Sequence, residues 1–245
     1  MKPTPKSPPD AGSVLVFGAH PDDIEFGCGG IVAQETQSGR QVRLIVCSRG
    51  ESGTHGTPAI RTREARQAAT LLGAELTFID LGGDAHFEPT VANRIAIAKL
   101  IRTHRPSVVM APTLVENQHP DHAILGRLVR DAARLARFGG VKELKRLPAH
   151  AVQQVIYYAV SADAEPRDQV PVYLDVSAEA VASAWAAAMR AHASQAQTRS
   201  YAEFQLARAA VNGQRCGVKL AIPLFPNDAL VVESLAALGR GARRY

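Results

Sequence analysis

The sequence has few cysteines, few aromatic residues and no long apolar run. Its three cysteines, Cys28, Cys47 and Cys216, form an odd, widely spaced set among 245 residues. Such a set argues against a disulfide framework and favours reduced thiols in the cytoplasm. No stretch approaches the ~20 consecutive apolar residues of a transmembrane helix, so we expect no membrane partner. Residues 1–12 lack the apolar core of a signal peptide; we expect a disordered leader there and a single domain over residues 13–245.

The charge balance is positive, with a net charge of +5, and four arginines fall at helical spacing: Arg127, Arg130, Arg134 and Arg137. This stripe is the best argument for a nucleic-acid partner. However, Asp131 lies among the arginines, and only 5% of the residues are aromatic and able to stack on bases. The pattern therefore predicts a solvated amphipathic helix and no nucleic-acid partner, while the positive surface favours an anionic small substrate.

Strand-like and helical segments alternate along the chain. Apolar runs predict strands over residues 14–17, 42–47, 76–79, 108–111, 152–159 and 172–175. Helical periodicity falls between and after them, over residues 26–37, 59–72, 91–104, 120–138, 178–195 and 201–212. This alternation predicts an α/β fold, a Rossmann-like three-layer sandwich with a mainly parallel sheet. The last third predicts a C-terminal helical and β extension beside the active site.

Two polar clusters follow two of the predicted strands. The first is His-Pro-Asp-Asp at residues 20–23, and the second is His-Pro-Asp-His at residues 119–122. His20 and Asp23 are three residues apart and can face one point, which leaves Asp22 free to handle protons. Since the carboxyl ends of parallel strands meet at one edge of the sheet, both clusters should meet there. A catalytic zinc takes three such ligands, so His119 or His122 is expected to be the third.

Other interpretations of the same residues predict different functions. The glycines of Gly-Cys-Gly-Gly at residues 27–30 could cradle a phosphate in a nucleotide-binding Rossmann protein, although they lack the G-x-G-x-x-G spacing. A catalytically silent metal-binding protein is a further alternative, which the carboxylate of Asp22 beside a full ligand set argues against. Iron(II) suits a ligand set of two histidines and one aspartate as well as zinc does.

At this point the chain resembles the PIG-L-like, or LmbE-like, zinc de-N-acetylases. The resemblance rests on the two histidine clusters, on Gly-Cys-Gly-Gly at 27–30 and on Ser-Arg-Gly-Glu-Ser-Gly-Thr at 48–54. Further segments at residues 60–65, 192–195 and 217–219 resemble the branch of the bacillithiol-biosynthesis deacetylases. That branch often carries polar residues after residue 219, where this chain has Leu220, Ala221, Ile222 and Pro223.

The resemblance implies a role for each matching residue. The metal ligands would be His20, Asp23 and His122, the general base Asp22, the oxyanion-stabilising histidine His119, and its carboxylate neighbour Asp121. Substrate contacts are expected from Arg61, with Arg63 close enough in sequence to exchange with it, and from Glu51 in a glycine-rich loop and His192. For Arg61 the alternative is an ion pair with Glu64 or Glu51. A second loop, residues 81–89, is also expected to surround the substrate.

The function expected from these roles is zinc-dependent hydrolysis of the acetamide of an N-acetylated amino sugar. The expected substrate is an N-acetylglucosaminyl conjugate, of which N-acetylglucosaminyl malate is one candidate. The missing polar residues at 220–223 weaken the case for that candidate. An amidase acting on a sugar-thiol S-conjugate is the alternative within the same family. The resemblance also implies a homo-oligomer, a trimer or a hexamer.

Overall fold

A seven-stranded sheet organises the computed structural model, which describes residues 12–116, 119–197 and 200–242. Residues 1–11 of the predicted leader lie outside the described residues, so the division into a leader and one domain stays a prediction. The strands are β1 (Val14–Gly18), β2 (Val42–Val46), β3 (Glu75–Phe78), β4 (Val108–Pro112), β5 (Gln154–Tyr158), β6 (Val172–Asp175) and β7 (Ala221–Pro226). They lie in the order β3-β2-β1-β4-β5-β7-β6.

The first five strands are parallel, and β7 runs antiparallel to both β5 and β6. Helices cover both faces: α1 (Asp23–Gln37), α2 (Pro58–Leu71), α3 (Val91–His104), α4 (Pro120–Arg137), α5 (Glu179–Arg190) and α6 (Tyr201–Cys216). This confirms the predicted α/β class, with a mainly parallel sheet and a C-terminal extension of helices and strands.

Alternate residues of β1 explain why the sheet has two cores. Val14 and Val16 pack into a core with α1, α2, α5 and α6, whereas Leu15 and Phe17 pack into a second core with α3 and α4. Side chains alternate between the faces of a strand, so a strand covered on both faces is apolar at every position. The continuous apolar run in the sequence therefore marks the centre of a three-layer structure.

The largest departure from the predicted elements is β7, which the sequence analysis missed. Pro223 and Pro226 argue against a central strand because proline donates no hydrogen bond to a ladder. In the structure β7 nevertheless lies between β5 and β6. Leu220 and Ile222 are only 8% and 4% exposed and pack in the core. Packing in the core thus explains why these two residues are apolar. Their buried location gives no support to the expectation that they influence the choice of substrate.

No helix in the part of the chain that the structure describes is long and apolar enough to cross a membrane.

Candidate functional site

The candidate site lies at the edge of the sheet where the parallel strands end. The loop after β1 carries residues 20–22 and leads into α1, and the segment after β4 leads into α4. Since β1 and β4 are neighbours in the sheet, these two segments emerge side by side. The loops after β2 and β3 emerge at the same edge, where open α/β sheets bind their ligands.

His20, Asp23 and His122 come together as the sequence predicts. Their ligand atoms all lie within 4.8 Å of one another, and all three residues are buried. His122 Nε2 lies 3.1 Å from Asp23 Oδ1, and His20 Nδ1 lies 3.3 Å from Asp23 Oδ2. Burial alone would raise the pKa of Asp23, but the two imidazoles outweigh it and hold that pKa well below its usual range. Three converging nitrogen and oxygen donors fit a divalent transition metal.

The second nitrogen of His20 is held by two other carboxylates. His20 Nε2 lies 3.1 Å from Asp84 Oδ1 and 3.3 Å from Asp121 Oδ2. Burial would lower the pKa of His20, but the surrounding carboxylates, Asp23 first, raise it well above its usual value. A carboxylate on the far nitrogen is the usual way to orient a metal-binding histidine. Asp121 therefore fits a role in orienting His20, and it also accepts the backbone N–H of Ala85 at 2.8 Å.

Asp84 is the site residue that the sequence analysis did not single out. It is only 4% exposed, and its Oδ1 lies 3.4 Å from His119 Nε2 as well as near His20. Its other oxygen accepts the N–H of Ser52 at 3.2 Å. Burial would raise the pKa of Asp84, but hydrogen bonds from the two histidines lower it strongly. The only signal was its place in the 81–89 loop, which was expected to surround the substrate.

Asp22 lies next to the cluster in an unusual backbone conformation. Its φ is 113°, in the left-handed region, at the position that caps the N-terminus of α1. Such a conformation in a residue other than glycine is uncommon and is concentrated at functional sites. Burial raises the pKa of Asp22 to about 6, while the nearby charge of Arg61 acts in the opposite direction. The structure thus presents a largely buried carboxyl, 13% of whose side chain is exposed, beside the candidate metal ligands, with a proton affinity suited to a general base.

Arg61 is buried behind Asp22. Only 5% of it is exposed, and its Nη2 lies 3.3 Å from Asp22 Oδ2. The guanidinium also donates to the carbonyl oxygens of Pro21 at 2.9 Å and Gly50 at 3.3 Å. Arg63 is exposed, so of the two arginines Arg61 is the one that reaches the site.

The expected alternative for Arg61, an ion pair with Glu64 or Glu51, is wrong because both carboxylates are engaged elsewhere. Glu64 accepts the N–H of Ser194 at 2.8 Å and its hydroxyl at 2.6 Å. Glu51 accepts the backbone N–H groups of Arg49 and Asp84 at 3.0 and 3.2 Å. Glu51 therefore joins the loops after β2 and β3, and its contact with a substrate stays a prediction.

His119 caps the N-terminus of α4 and remains accessible, with 32% of its side chain exposed. Its Nδ1 accepts the backbone N–H of Asp121 at 3.4 Å. In the neutral ring the proton then belongs on Nε2, which points into the site towards Asp84. The arrangement provides a hydrogen-bond donor at the rim of the metal cluster.

His192 lies beneath the site. It is only 1% exposed, and its Nε2 lies 3.5 Å from Glu25 Oε2. Burial would lower the pKa of His192, but Glu25 above all raises it. Its ring is enclosed in this structure, and the expected contact of His192 with a substrate stays a prediction. His192 instead packs under α1, near Phe26.

The glycines at 27–30 serve packing. A Cβ at Gly27 would overlap the Tyr158 ring, and one at Gly29 would lie 2.7 Å from the Trp185 ring. All four residues are buried inside α1. This arrangement contradicts the phosphate-cradle interpretation, because the backbone there faces side chains of the core.

The chain is similar to known proteins over the segment that carries this site. Residues 15–133 match the family model described as PIG-L, GlcNAc-PI de-N-acetylase. The chain is 31% identical over 161 residues to a diacetylchitobiose deacetylase from Thermococcus kodakarensis, covering 61% of this chain and 60% of the relative. It is 28% identical over 142 residues to a 4-oxalmesaconate hydratase from Pseudomonas putida, covering 53% and 55%. The chain thus spans about three fifths of the length of the curated relatives it matches.

Among solved structures, a conserved protein from Thermus thermophilus shares the fold over most of both chains. The TM-score is 0.78 at 29% identity, with 91% of this chain and 98% of the other covered. The matched family segment contains both histidine clusters, Arg61 and Asp84.

Proposed function

The chain belongs to the PIG-L family of de-N-acetylases, and from this premise we propose that it hydrolyses the acetamide of an N-acetylated amino sugar with the help of a divalent metal. The observation that carries the proposal is the buried cluster of His20, Asp23 and His122, with Asp22 and His119 beside it. The products are acetate and a free amine.

Zinc is the proposed metal, held by His20, Asp23 and His122. The donor set and the close approach of the ligand atoms, within 4.8 Å, support the assignment. When bound, such an ion supplies Lewis acidity towards a carbonyl oxygen and lowers the pKa of water towards neutrality. Iron(II) remains the alternative, because the same three ligands suit it.

Asp22 is the proposed general base. Its buried carboxyl takes one proton from the attacking water as the new carbon–oxygen bond forms. Arg61 holds one carboxyl oxygen at 3.3 Å and is itself fixed by the carbonyl groups of Pro21 and Gly50. The role of Arg61 supported by these contacts is to position Asp22; its expected contact with the substrate remains a second proposal for the same residue.

His119 is the proposed donor to the oxyanion that develops on the acetyl carbonyl. Its Nε2 carries the proton because Nδ1 accepts a backbone N–H. One well-placed donor of this kind contributes about 2.7–4 kcal/mol to transition-state stabilisation. As the carbon–nitrogen bond breaks, the amine takes the proton that Asp22 removed from the water; His119 is the alternative acid, and it can serve only when its ring is doubly protonated.

The proposed substrate class is an N-acetylglucosaminyl conjugate. N-acetylglucosaminyl malate, the expectation from the bacillithiol branch, is one member, and a sugar-thiol S-conjugate is the alternative. Assembly into a trimer or hexamer is a further proposal that rests on the resemblance, and a cytoplasmic location is a further proposal that rests on the odd, widely spaced cysteines. Analytical ultracentrifugation of the purified chain tests the first of these.

The deciding experiment measures acetate and free amine from a panel of N-acetylglucosamine, N-acetylglucosaminyl malate, diacetylchitobiose and a mycothiol-type conjugate. The protein is stripped of metal and then reloaded with zinc, or with iron(II) under anaerobic conditions. We expect release that depends on metal. His122→Ala should lose both bound metal and activity, whereas His104→Ala, which changes a partly exposed histidine at the end of α3 away from the site, should retain both. Full metal content in His122→Ala would contradict the ligand assignment.

A hydratase is the second candidate, because one relative is named 4-oxalmesaconate hydratase. A hydratase adds water to a carbon–carbon double bond and releases no acetate. Silence across the acetamide panel, together with metal-dependent loss of absorbance from an unsaturated dicarboxylate, would favour this alternative.

A further inference from the structure

A basic groove lies at the opposite edge of the sheet from the candidate site. It is an open cavity of about 260 Å³ between the second half of α4, the segment before β5 and the residues after β7. Because β5 is parallel to β4, the segment before β5 lies at the amino ends of the parallel strands. Along α4, Arg134 is twelve residues beyond His122, about 18 Å at 1.5 Å per residue. The groove is therefore separate from the metal cluster.

Three arginines from successive turns of α4 line this groove: Arg130, Arg134 and Arg137. Residues three and four apart share one face of a helix, so the three guanidinium groups form a continuous row. Ala133, Val152 and Val155 give the groove an apolar lining between the charges. A row of guanidinium forks over an apolar surface is suited to organic carboxylates and phosphates.

The acidic groups of the groove only partly balance these charges. Asp131 lies 3.3 Å from Arg130 and 3.7 Å from Arg134. Asp228, which also lines the groove, accepts the amide N–H of Asn227 at 2.7 Å. Arg137 lies over the Phe138 ring, 5.0 Å from its centroid, and has no carboxylate within ion-pair distance in the described part of the chain.

Arginines near a helix C-terminus often donate hydrogen bonds to the last carbonyl groups of their helix. At the end of α4, other donors already bind these carbonyl groups. Arg102 donates to the carbonyl oxygens of Ala136 at 2.9 Å and Phe138 at 2.7 Å. The backbone N–H of His150 donates to the carbonyl of Ala136 as well, at 3.0 Å. The arginine row is thus not needed to cap α4.

From these observations we propose that the groove binds a small organic anion with two or more carboxylate or phosphate groups. Adjacent guanidinium groups of the row can each bind one anionic group. The cavity volume suits a ligand of a few to a dozen heavy atoms. Such a ligand would bind independently of the reaction at the metal cluster, because the two sites share no lining residue.

Calorimetric titration of the metal-loaded protein tests the proposal. The probes are 3-phosphoglycerate, which carries one phosphate and one carboxylate, and tricarballylate, which carries carboxylates alone; both are within the size that the cavity suits, and both are titrated at equal, low ionic strength. Binding of only one of them identifies the preferred anionic groups, and binding of both supports the proposal equally. We expect saturable binding at one site. Arg134→Gln and Arg137→Gln should each raise Kd by about tenfold, the effect of losing one charge-assisted contact.

Arg127→Gln is the matched control, because it removes the same charge from the same helix but lies outside the groove, paired with Glu116 at 2.8 Å. It should change Kd by less than about twofold, as expected for a screened charge outside the site. The proposal is overturned if neither probe saturates, if Arg127→Gln weakens binding as much as the groove variants, or if the probe competes with the substrate for the metal cluster.

Discussion

Two arginines are buried at opposite edges of the sheet, and they are bound in different ways. Arg61 and Arg102 are 5% and 2% exposed. Arg102 donates to the carbonyl oxygens of Ala136, Phe138, Leu144 and Leu147 at 2.7–2.9 Å. Arg61 donates to two carbonyl groups and to the carboxylate of Asp22. Burial of a charge is tolerated only with such partners.

The different partners give the two arginines different roles: Arg102 stabilises the fold, and Arg61 acts on an ionisable group of the candidate site. Arg102 lies at the end of α3 and donates to neutral carbonyl groups at the end of α4 and in the segment that follows it. This arginine therefore holds the two helices together. The partner of Arg61 is an ionisable group whose proton affinity it changes. We therefore expect substitutions near Arg61 to change the reaction and substitutions at Arg102 to change the stability.

The largest expected effect on the reaction comes from Asp22→Asn. The substitution keeps the shape and a hydrogen-bond acceptor for Arg61 but removes the base, so kcat should fall by about 10²–10⁴. Bound zinc should stay stoichiometric, as measured by metal analysis. An unchanged kcat would remove Asp22 from the mechanism.

The same variant gives a pH signature in the metal-free protein. The pKa of Asp22 is raised to about 6 in the folded protein, above the ordinary value of about 3.9. The folded state then binds this proton more tightly, so the contribution of Asp22 to the free energy of unfolding is largest at low pH and is lost as the pH rises through about 6. Denaturation at several pH values should show Asp22→Asn becoming more stable relative to the wild type between about pH 4 and 6.

Arg102→Ala should have the largest effect on stability. Four carbonyl groups lose the guanidinium as a donor, although Ala136 keeps the N–H of His150 and Leu144 keeps that of Leu147, and we expect the free energy of unfolding to fall by about 3 kcal/mol. kcat per folded molecule should be unchanged. Arg94→Ala on the same helix, where the arginine is partly exposed, should cost less than about 1 kcal/mol. An equal cost in both variants, measured by urea denaturation, would show that the buried carbonyl groups do not depend on Arg102.

Arg61→Met should affect the reaction less than loss of Asp22 itself. Without the guanidinium, Asp22 is less well oriented, and we expect kcat to fall by about 10–100-fold, a loss of about 1.4–2.7 kcal/mol. Because the charge of Arg61 lowers the pKa of Asp22, its removal should move the acid limb of the kcat/KM profile to higher pH. Arg63→Met, an exposed neighbour on the same helix, should leave both unchanged. A rise in KM alone would favour substrate binding by Arg61 instead.

The contrast also shows what the sequence could predict. The candidate ligands His20 and Asp23 are close in sequence, and His119 and His122 follow an apolar run that forms the neighbouring strand, so local spacing and the topology of a parallel sheet predicted that the two clusters meet. The choice of His122 over His119 came from the family resemblance. The partner of Arg61 was not predictable in this way. It is set by loop conformations, in particular by Asp22 at φ 113°, which no residue pattern specifies.

Asp84 and β7 were missed for different physical reasons. Asp84 contacts His20 from a loop in which Gly82, Gly83 and Ala85 all have positive φ, so its position depends on the geometry of that turn. Asp84 also lies 64 residues from His20 in the sequence, so no local spacing links the two. β7 contains two prolines in six residues, a composition typical of loops, and becomes a strand because β5 and β6 both pair with it.

The smallest expected effect comes from Gly50→Ala, which changes neither arginine. Gly50 has a φ of 70°, and a Cβ there would overlap the Arg61 guanidinium. The guanidinium must move away from Asp22, so kcat should fall by up to about tenfold and the acid limb should move as in Arg61→Met. Gly39→Ala is the control: its φ is 86°, but a Cβ there meets nothing within 4 Å. Both variants bear the strain of alanine at positive φ, so denaturation should show similar losses of stability. If the pH profile moved equally in both, backbone strain would account for the effect and Arg61 would not be the link between Gly50 and Asp22.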